Sequence, residues 1–324
     1  MTKKDPFISI IIVTYNGADY IINCLRSVKE QLYDKRSVEI IAVDNASKDK
    51  TPEIIENTFR DVYIIRNKKN IGFGRANNIG IKKSKGEYVV LLNQDSLVDK
   101  NWLSVLIKTM EENHNAGCCG AEEYSYDMYG KITKAAKRVK KCLWMGCGSI
   151  IFRKKALDEV GLFDPYYFMY MEDVDLVWRI KAKGWKILQN YQALWFHKGK
   201  ERRVDLSEKR LFWSWKNRLY LIMKFGSNIQ ILKSMITYLT SFLRKKKKGE
   251  PESEESHTKE ELRETKYSSF WKKIFFIIKL IVIIPPLVIF ALVARYELRK
   301  KIGINQKEID EWIAYTDKVF YRDL

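Results

Sequence analysis

The stretch that decides the fold is Ile8–Val13, ISIIIV, a run of apolar, mostly β-branched residues interrupted by one serine. It is too short for a helix of its own and polar residues bound it, so it predicts a strand buried on both faces. The pattern returns at Val38–Val43, Val62–Ile65 and Tyr88–Leu92, with stretches of helical length between the runs. Alternating strands and helices predict an α/β fold with a mostly parallel sheet.

The residues that directly follow these four runs are all polar. Ligands of parallel sheets bind beyond the carboxyl ends of the strands, so these positions are the ones to inspect. Any one of them is also an ordinary turn or helix-cap residue, but four polar ends together favour a binding site. The residues are Thr14, Tyr15 and Asn16; Asp44, Asn45 and Ser47; Asn67–Asn70; and Asn93, Gln94 and Asp95.

Two acids at these ends match the needs of a nucleoside diphosphate. Such a ligand requires an acceptor for the N–H of its base, and a divalent cation that neutralises its pyrophosphate through an acidic residue. Asp44, after the second run, suits the first duty, and Asp95, after the fourth, suits the second.

A second pair of acids lies farther along the chain. Short strands are predicted at Gly148–Phe152 and Lys186–Leu188, with a helix over Glu172–Lys183 between them. Glu172 and Asp173 open that helix, where the helix dipole favours an ionised carboxylate of the kind a general base requires. The alternative is that these are first-turn acids placed only for the dipole. Arg179 is expected to pair with Asp175 one turn away.

Six strings, taken in order and spacing, resemble the family 2 inverting glycosyltransferases of GT-A fold, a Rossmann-like nucleotide-diphospho-sugar transferase architecture, and most closely their rhamnosyltransferase-like branch. The resemblance covers about residues 7–225. The strings are IIIVTYN at Ile10–Asn16, VDNASKD at Val43–Asp49, NIGFGRANNIG at Asn70–Gly80, LLNQD at Leu91–Asp95, FMYMEDVDLVWRIKAKGW at Phe168–Trp185, and Trp195 with His197.

The resemblance implies roles for particular residues. Asp95 would bind Mg²⁺ or Mn²⁺ as the acid of the family's DxD element, whose first position is here Asn93, and His197 would complete the metal site. Asp173 would be the catalytic base, with Glu172 beside it orienting the acceptor. The residues expected to bind the nucleotide sugar are Thr14, Tyr15, Asn16, Asp44, Arg75, Asn93, Gln94 and Trp144.

Composition narrows the classes of partner. Lys and Arg number 59 against 40 Asp and Glu, a net charge of +19, which suggests an anionic partner. No basic–aromatic array or recognition module supports nucleic-acid binding. The five cysteines form no CxxC pair, which favours reduced thiols in the cytosol over a disulfide framework or a zinc site.

The C-terminal third changes in character. We predict a catalytic domain over 1–225, an interfacial helix over 226–243 that follows a break near Gly226–Ser227, a charged linker over 244–270, and an apolar hairpin and tail over 271–324. Ile274–Ala294 is apolar except for Lys279, and Pro285–Pro286 is expected to break it into two halves. Basic residues flank both sides, which favours a re-entrant or interfacial hairpin on the cytoplasmic face of an anionic membrane. A hairpin buried within the protein is the alternative.

These observations together predict a metal-dependent glycosyltransferase. It would transfer a sugar from a nucleotide-diphosphate sugar, with inversion, to a lipid-linked or glycan acceptor in surface polysaccharide assembly. The alternative is a non-catalytic scaffold that binds sugar nucleotides or membranes with the same fold.

Overall fold

The computed structural model describes residues 5–143, 145–198, 208–243 and 270–322. Two predicted features lie outside them: Trp144, and the linker 244–270 apart from its last residue. The chain divides into two compact units, Met1–Arg203 and Val204–Leu324. The boundary of the catalytic domain at residue 225 stays a prediction.

One mixed β-sheet runs through the first unit in the order β3-β2-β1-β4-β8-β6-β9-β5, with β7 paired to β9. Its strands are β1 Ile8–Thr14, β2 Val38–Asp44, β3 Tyr63–Arg66, β4 Tyr88–Leu92, β5 Ser96–Val98, β6 Ala116–Ser125, β7 Val139–Lys141, β8 Ser149–Arg153 and β9 Lys186–His197.

The prediction of a mostly parallel sheet holds for only part of it. Strands β3, β2, β1 and β4 are parallel, as is the pair β6–β9. Strand β8 runs antiparallel to both β4 and β6, and β5 and β7 run antiparallel to β9. A short apolar run shows that a strand is buried, but its direction is set by the partner it meets, so the sequence pattern could not supply it.

Six α-helices cover this sheet: α1 Ile21–Lys29, α2 Thr51–Thr58, α3 Phe73–Lys83, α4 Trp102–Glu112, α5 Lys154–Val160 and α6 Glu172–Ala182. Strand β1 lies inside the sheet between β2 and β4, and Ile8, Ile10, Ile11 and Ile12 are completely buried. The predicted burial on both faces is therefore confirmed. Trp102 of α4 is buried as well and donates from its indole N–H to Ser149 Oγ over 2.9 Å.

The second unit contains the helices α7 Glu208–Phe225, α8 Asn228–Leu243, α9 Phe270–Lys301 and α10 Gln306–Arg322. The break predicted near Gly226–Ser227 is confirmed between α7 and α8. A buried polar cluster joins three of the helices, because Asp317 of α10 accepts hydrogen bonds from Arg218 of α7 and from Ser234 of α8. Removing one partner would leave a buried charge unpaired, so the cluster sets how these helices pack.

The break predicted at Pro285–Pro286 is wrong, and with it the hairpin, because α9 continues through both prolines. Helix α9 packs against α7 and buries Leu287, Ala291 and Leu298. This burial stabilises a helix that the proline pair disfavours locally. Within the described residues, no helix combines the length and the apolar composition that crossing a membrane requires.

Candidate active site

A cleft of about 260 Å³ opens beyond the carboxyl ends of the parallel strands. All four predicted polar ends contribute to it, through Tyr15 after β1, Asn45 after β2, Asn70 after β3 and residues 93–95 after β4. The lining residues are Val13, Tyr15, Asn45, Asn70, Gly72, Phe73, Asn93, Gln94, Asp95, Phe168 and Met169.

Asp44 does not line this cleft and is only 3% exposed. Its Oδ1 accepts hydrogen bonds from the hydroxyls of Thr14, at 3.0 Å, and Ser47, at 2.5 Å, and its Oδ2 accepts from the Ser47 N–H. Three of the roughly four acceptor sites of the carboxylate are thereby used. Thr14 is fully buried too. Both residues therefore hold together the turns after β1 and β2, and their contact with a nucleotide stays a prediction.

Gln94 fixes the loop after β1. Its side-chain amide accepts from the Tyr15 N–H and donates to the Tyr15 C=O, each over 3.0 Å. A Cβ at Gly17 would lie 2.1 Å from Gln94 Oε1, so a larger residue there would displace the Gln94 side chain. Asn16 has a left-handed backbone, with φ of 48°, and accepts from the Lys48 N–H. The half-exposed Tyr15 ring is thus presented to the cleft by a tightly held loop.

Asp95 and His197 meet at one end of the cleft. Strand β5, which begins one residue after Asp95, pairs with the end of β9 so that Ser96 lies opposite His197. Asp95 Oδ1 lies 3.2 Å from His197 Nε2, and Asn93 Nδ2 lies 3.2 Å from the same nitrogen. On the other side of the ring, His197 Nδ1 lies 3.0 Å from Glu123 Oε1. Burial lowers the pKa of His197, but the hydrogen bonds and charges of Asp95 and Glu123 outweigh it and raise the pKa to about 9.

These residues fit a divalent cation in two respects. A carboxylate and an imidazole suit Mn²⁺, and the 3.2 Å between Asp95 Oδ1 and His197 Nε2 is close to the spacing of adjacent ligands about 2.1 Å from an octahedral ion. Among the described residues, no three His, Cys, Asp or Glu side chains form a group able to hold a metal. The protein would supply two ligands, and phosphate oxygens and water would supply the others.

The loop 145–148 before β8 connects this pair to the second pair of acids. Because β8 runs antiparallel to β4, its start lies beside the end of β4, and the Asn93 N–H donates to Gly148 C=O over 2.9 Å. The Cys147 N–H hydrogen-bonds to the Asp173 carboxylate. A Cβ at Gly146 would lie 3.7 Å from Asp173 Oδ2, so glycine keeps the space next to that oxygen open.

Glu172 and Asp173 begin α6, as predicted. Tyr170 and Met171 precede them with φ of 68° and 69°, left-handed conformations that non-glycine residues seldom adopt. Glu172 is 6% exposed, and its Oε2 has no hydrogen-bond partner in the described part of the chain. Burial, reinforced by the charge of Asp173, raises the pKa of Glu172, and burial raises the pKa of Asp173. Burial therefore outweighs the helix dipole in setting the pKa of both acids.

Asp175 and Arg179 form the predicted pair, with Asp175 Oδ1 accepting from Arg179 Nε over 2.6 Å in the interior. The same guanidinium donates to the carbonyls of Val160, Gly161 and Leu162 at the end of α5. Asp175 and Arg179 therefore hold α6 against α5. Glu172 and Asp173 take no part in these contacts.

The sequence of this chain matches a known protein family. The family model described as Glycosyl transferase family 2 matches residues 9–176, which is more than half of the chain. The chain belongs to glycosyl transferase family 2. The matched residues include the four polar strand ends and the start of α6. His197 lies beyond the match.

Two curated relatives of this chain show the range of the family. An uncharacterized glycosyltransferase of Rickettsia typhi is 35% identical over 193 residues, which are 53% of this chain and 57% of the relative. The poly-beta-1,6-N-acetyl-D-glucosamine synthase of Staphylococcus aureus is 25% identical over 246 residues, 69% of this chain and 57% of the synthase. The chain thus spans little more than half the length of either relative.

Two solved structures share the fold. GalNAc-T7, crystallised with UDP, GalNAc and Mn²⁺, superposes with a TM-score of 0.59 at 18% identity, over 74% of this chain and 52% of that one. The mannosyltransferase PcManGT of Pyrobaculum calidifontis, in complex with GDP-Man and Mn²⁺, gives 0.54 at 20% identity, over 68% and 63%. At these identities the likeness establishes the GT-A-type α/β fold alone.

Some predicted site residues of this family 2 chain lie away from the cleft. Arg75 does not line it, and its Nε donates to the Pro165 carbonyl over 2.7 Å. Conversely, Phe168 and Met169 line the cleft although no role was predicted for them. The FMYM string that precedes the acids was a signal for them. For Glu123 the sequence offered no signal, because its place beside His197 depends on the pairing of β6 with β9.

Proposed function

We propose that this family 2 glycosyltransferase transfers a sugar from a nucleotide-diphosphate sugar to a hydroxyl of a glycan or lipid-linked acceptor, with inversion. One observation carries the proposal. A single loop, 145–148, hydrogen-bonds on one side to Asn93, which lies beside the Asp95–His197 pair suited to a cation, and on the other side to Asp173, which is suited to act as a base.

The donor's diphosphate belongs at the first pair. Asp95 and His197 are the residues that would hold Mg²⁺ or Mn²⁺, which when bound neutralises the diphosphate and so makes it a better leaving group. The ring of Tyr15, 40% exposed, and the amides of Asn45 and Asn70 face the cleft where the nucleoside would lie. The crystallised neighbours with UDP or GDP-Man and Mn²⁺ support this assignment.

The transfer itself is assigned to Asp173. Its carboxylate takes the proton of the acceptor hydroxyl while that oxygen bonds to the anomeric carbon, and the bond from this carbon to the diphosphate oxygen breaks. Attack from the face opposite the leaving group inverts the configuration. A raised pKa makes Asp173 a stronger base than an exposed aspartate. The open space beside Gly146 gives the acceptor access to it.

Relatives that build polysaccharides, among them the S. aureus synthase, support a glycan or lipid-linked acceptor. The donor sugar, including the rhamnosyl group suggested by the resemblance, stays a prediction.

The assay that tests this function uses the full chain and the donors UDP-, GDP-, dTDP- and CDP-sugars, with Mn²⁺ or Mg²⁺ against EDTA. We expect metal-dependent release of one nucleoside diphosphate, lost in Asp95→Ala but kept in Asp61→Ala, whose carboxylate is exposed and pairs with Lys29 at the surface. Nucleotide binding without any release would instead support the non-catalytic scaffold. Release unaffected by Asp95→Ala would contradict the metal assignment.

The second unit supports association with an anionic membrane, which we propose for the cytoplasmic face. The side of α9 away from its buried residues exposes Ile289, Phe290, Val293 and Tyr296, each by more than half of its surface. The basic run of Arg299, Lys300 and Lys301 follows. Each exposed cation near an anionic lipid surface contributes about 1 kcal/mol. Of the predicted flanking cations, Arg295 instead donates to the Met223 carbonyl within the unit.

Vesicle flotation tests this surface. The full chain should float with phosphatidylglycerol vesicles more than with phosphatidylcholine vesicles. The double substitution of Ile289 and Phe290 by Ser should weaken partitioning by at least about tenfold, since each apolar side chain contributes about 1.5–3 kcal/mol when fully buried. The same substitution at Leu32 and Tyr63, which are equally exposed in the first unit, is the matched control. A full chain that floats with neither vesicle in low salt refutes the membrane proposal.

A further inference from the structure

Glu123 reaches the Asp95–His197 pair because of an irregularity in the sheet. Strand β6 pairs with β9 in parallel, and the register shifts so that Ala121 lies opposite Asn190 but Glu122 lies opposite Leu194. Residues 191–193 of β9 therefore have no partner on β6. The shift places Glu123 opposite Trp195 and Ser125 opposite His197.

The bulge is held by specific contacts. The Asn190 side chain donates to Thr109 Oγ1 over 2.7 Å and accepts from the Gln192 N–H over 2.8 Å, and the Tyr191 N–H donates to the Arg138 carbonyl. The register that brings Glu123 to the histidine is thus built into the sheet and does not depend on the Glu123 side chain.

Glu123 contacts one specific nitrogen of the imidazole. Its Oε1 lies 3.0 Å from His197 Nδ1, and an ionised carboxylate can only accept a hydrogen bond, so Nδ1 carries a proton whether or not Nε2 is bound to a cation. The other nitrogen, Nε2, faces Asp95 Oδ1 and Asn93. Trp195 stacks beneath the ring with 4.8 Å between centroids, which restricts its tilt.

We infer that Glu123 is a positioning residue: by accepting from Nδ1 it keeps the Nε2 lone pair of His197 directed at the cation that Asp95 shares. This inference rests on the proposed function, because it concerns how the proposed cation is held. A histidine that ligates a metal through one nitrogen commonly donates from the other to a carboxylate, and losing that partner reduces metal affinity about 10- to 100-fold.

The neighbouring Glu122 provides a matched control. It precedes Glu123 on the same strand, carries the same charge and accepts from Gln189 Nε2 over 2.7 Å instead of from the histidine. The Glu123 side chain is 41% exposed, so replacing it opens no cavity in the core. Thermal melts of both variants verify that they fold.

The experiment titrates Mn²⁺ into the full chain at saturating UDP, and separately GDP, with free Mn²⁺ followed by electron paramagnetic resonance. Glu123→Ala should raise the Kd for Mn²⁺ about 10- to 100-fold, and Glu122→Ala should leave it within about twofold of the wild type. Glu123→Gln keeps an acceptor oxygen and should restore part of the affinity.

A second readout separates positioning from a general weakening of the fold. In the Mg²⁺ complex, long-range ¹H–¹⁵N spectra should show His197 of the wild type protonated on Nδ1. In Glu123→Ala this proton should be distributed over both nitrogens.

Each outcome has a distinct meaning. Equal Mn²⁺ affinity for Glu123→Ala and Glu122→Ala, or an unchanged tautomer, overturns the inference while leaving the proposed function intact. A wild-type chain that binds no Mn²⁺ with either nucleotide overturns the metal assignment and the inference together.

Discussion

His197 should make the stability of the metal-free protein depend on pH. Its pKa is raised from 6.5 to about 9 in the folded state, where Asp95 and Glu123 face its two ring nitrogens. The folded state therefore holds this proton more tightly than the unfolded state does. The resulting stabilisation is fully present below pH 6.5 and is lost as the pH rises through 9.

The magnitude follows from the two pKa values. The difference between the unfolded-state pKa of 6.5 and the folded-state pKa of about 9 corresponds to about 3 kcal/mol of unfolding free energy. About 2 kcal/mol of this stabilisation is lost between pH 6 and pH 8. The His197 side chain is only 19% exposed, so water screens these interactions little.

Urea unfolding in EDTA, followed by tryptophan fluorescence, measures the effect, and Trp195 stacked on the imidazole is a local reporter. The difference in unfolding free energy between the wild type and His197→Gln should shrink by about 2 kcal/mol from pH 6 to pH 8. His114→Gln is the matched control, since His114 is exposed and lies outside this cluster. If the wild type and His197→Gln lose stability in parallel over this range, the assignment of His197 as a cation between two carboxylates is refuted.

Three further predictions concern other parts of the first unit. Asp173→Asn should keep nucleotide binding, measured by thermal shift, and lower the rate of transfer at least about 100-fold, whereas a loss of binding with an intact rate would place the base elsewhere. Gly17→Ala should separate Tyr15 from Gln94, because the new Cβ would lie 2.1 Å from Gln94 Oε1, and should weaken nucleotide binding, measured by the same thermal shift; unchanged binding would show that this loop does not shape the site. Ile10→Ala should lower the unfolding free energy by about 2–5 kcal/mol in urea, because the side chain is fully buried in β1, and a cost below about 1 kcal/mol would contradict this burial.

The sequence by itself determined those features that local patterns encode. The apolar runs predicted β1, β2 and β4 to within a residue at each end, and the polar residues after them do meet at one cleft. The helix that begins at Glu172 and the break between α7 and α8 were also readable, since caps, glycine and periodicity act over a few residues.

Only the tertiary structure decided which strands pair, in which direction and in which register. The antiparallel direction of β8 brings the loop 145–148 to both pairs of site residues, and the bulge in β9 brings Glu123 to His197. Likewise, packing against α7 rather than local preference keeps α9 continuous through two prolines. In each case the deciding contacts join residues far apart in the chain, and a local pattern carries no information about its distant partner.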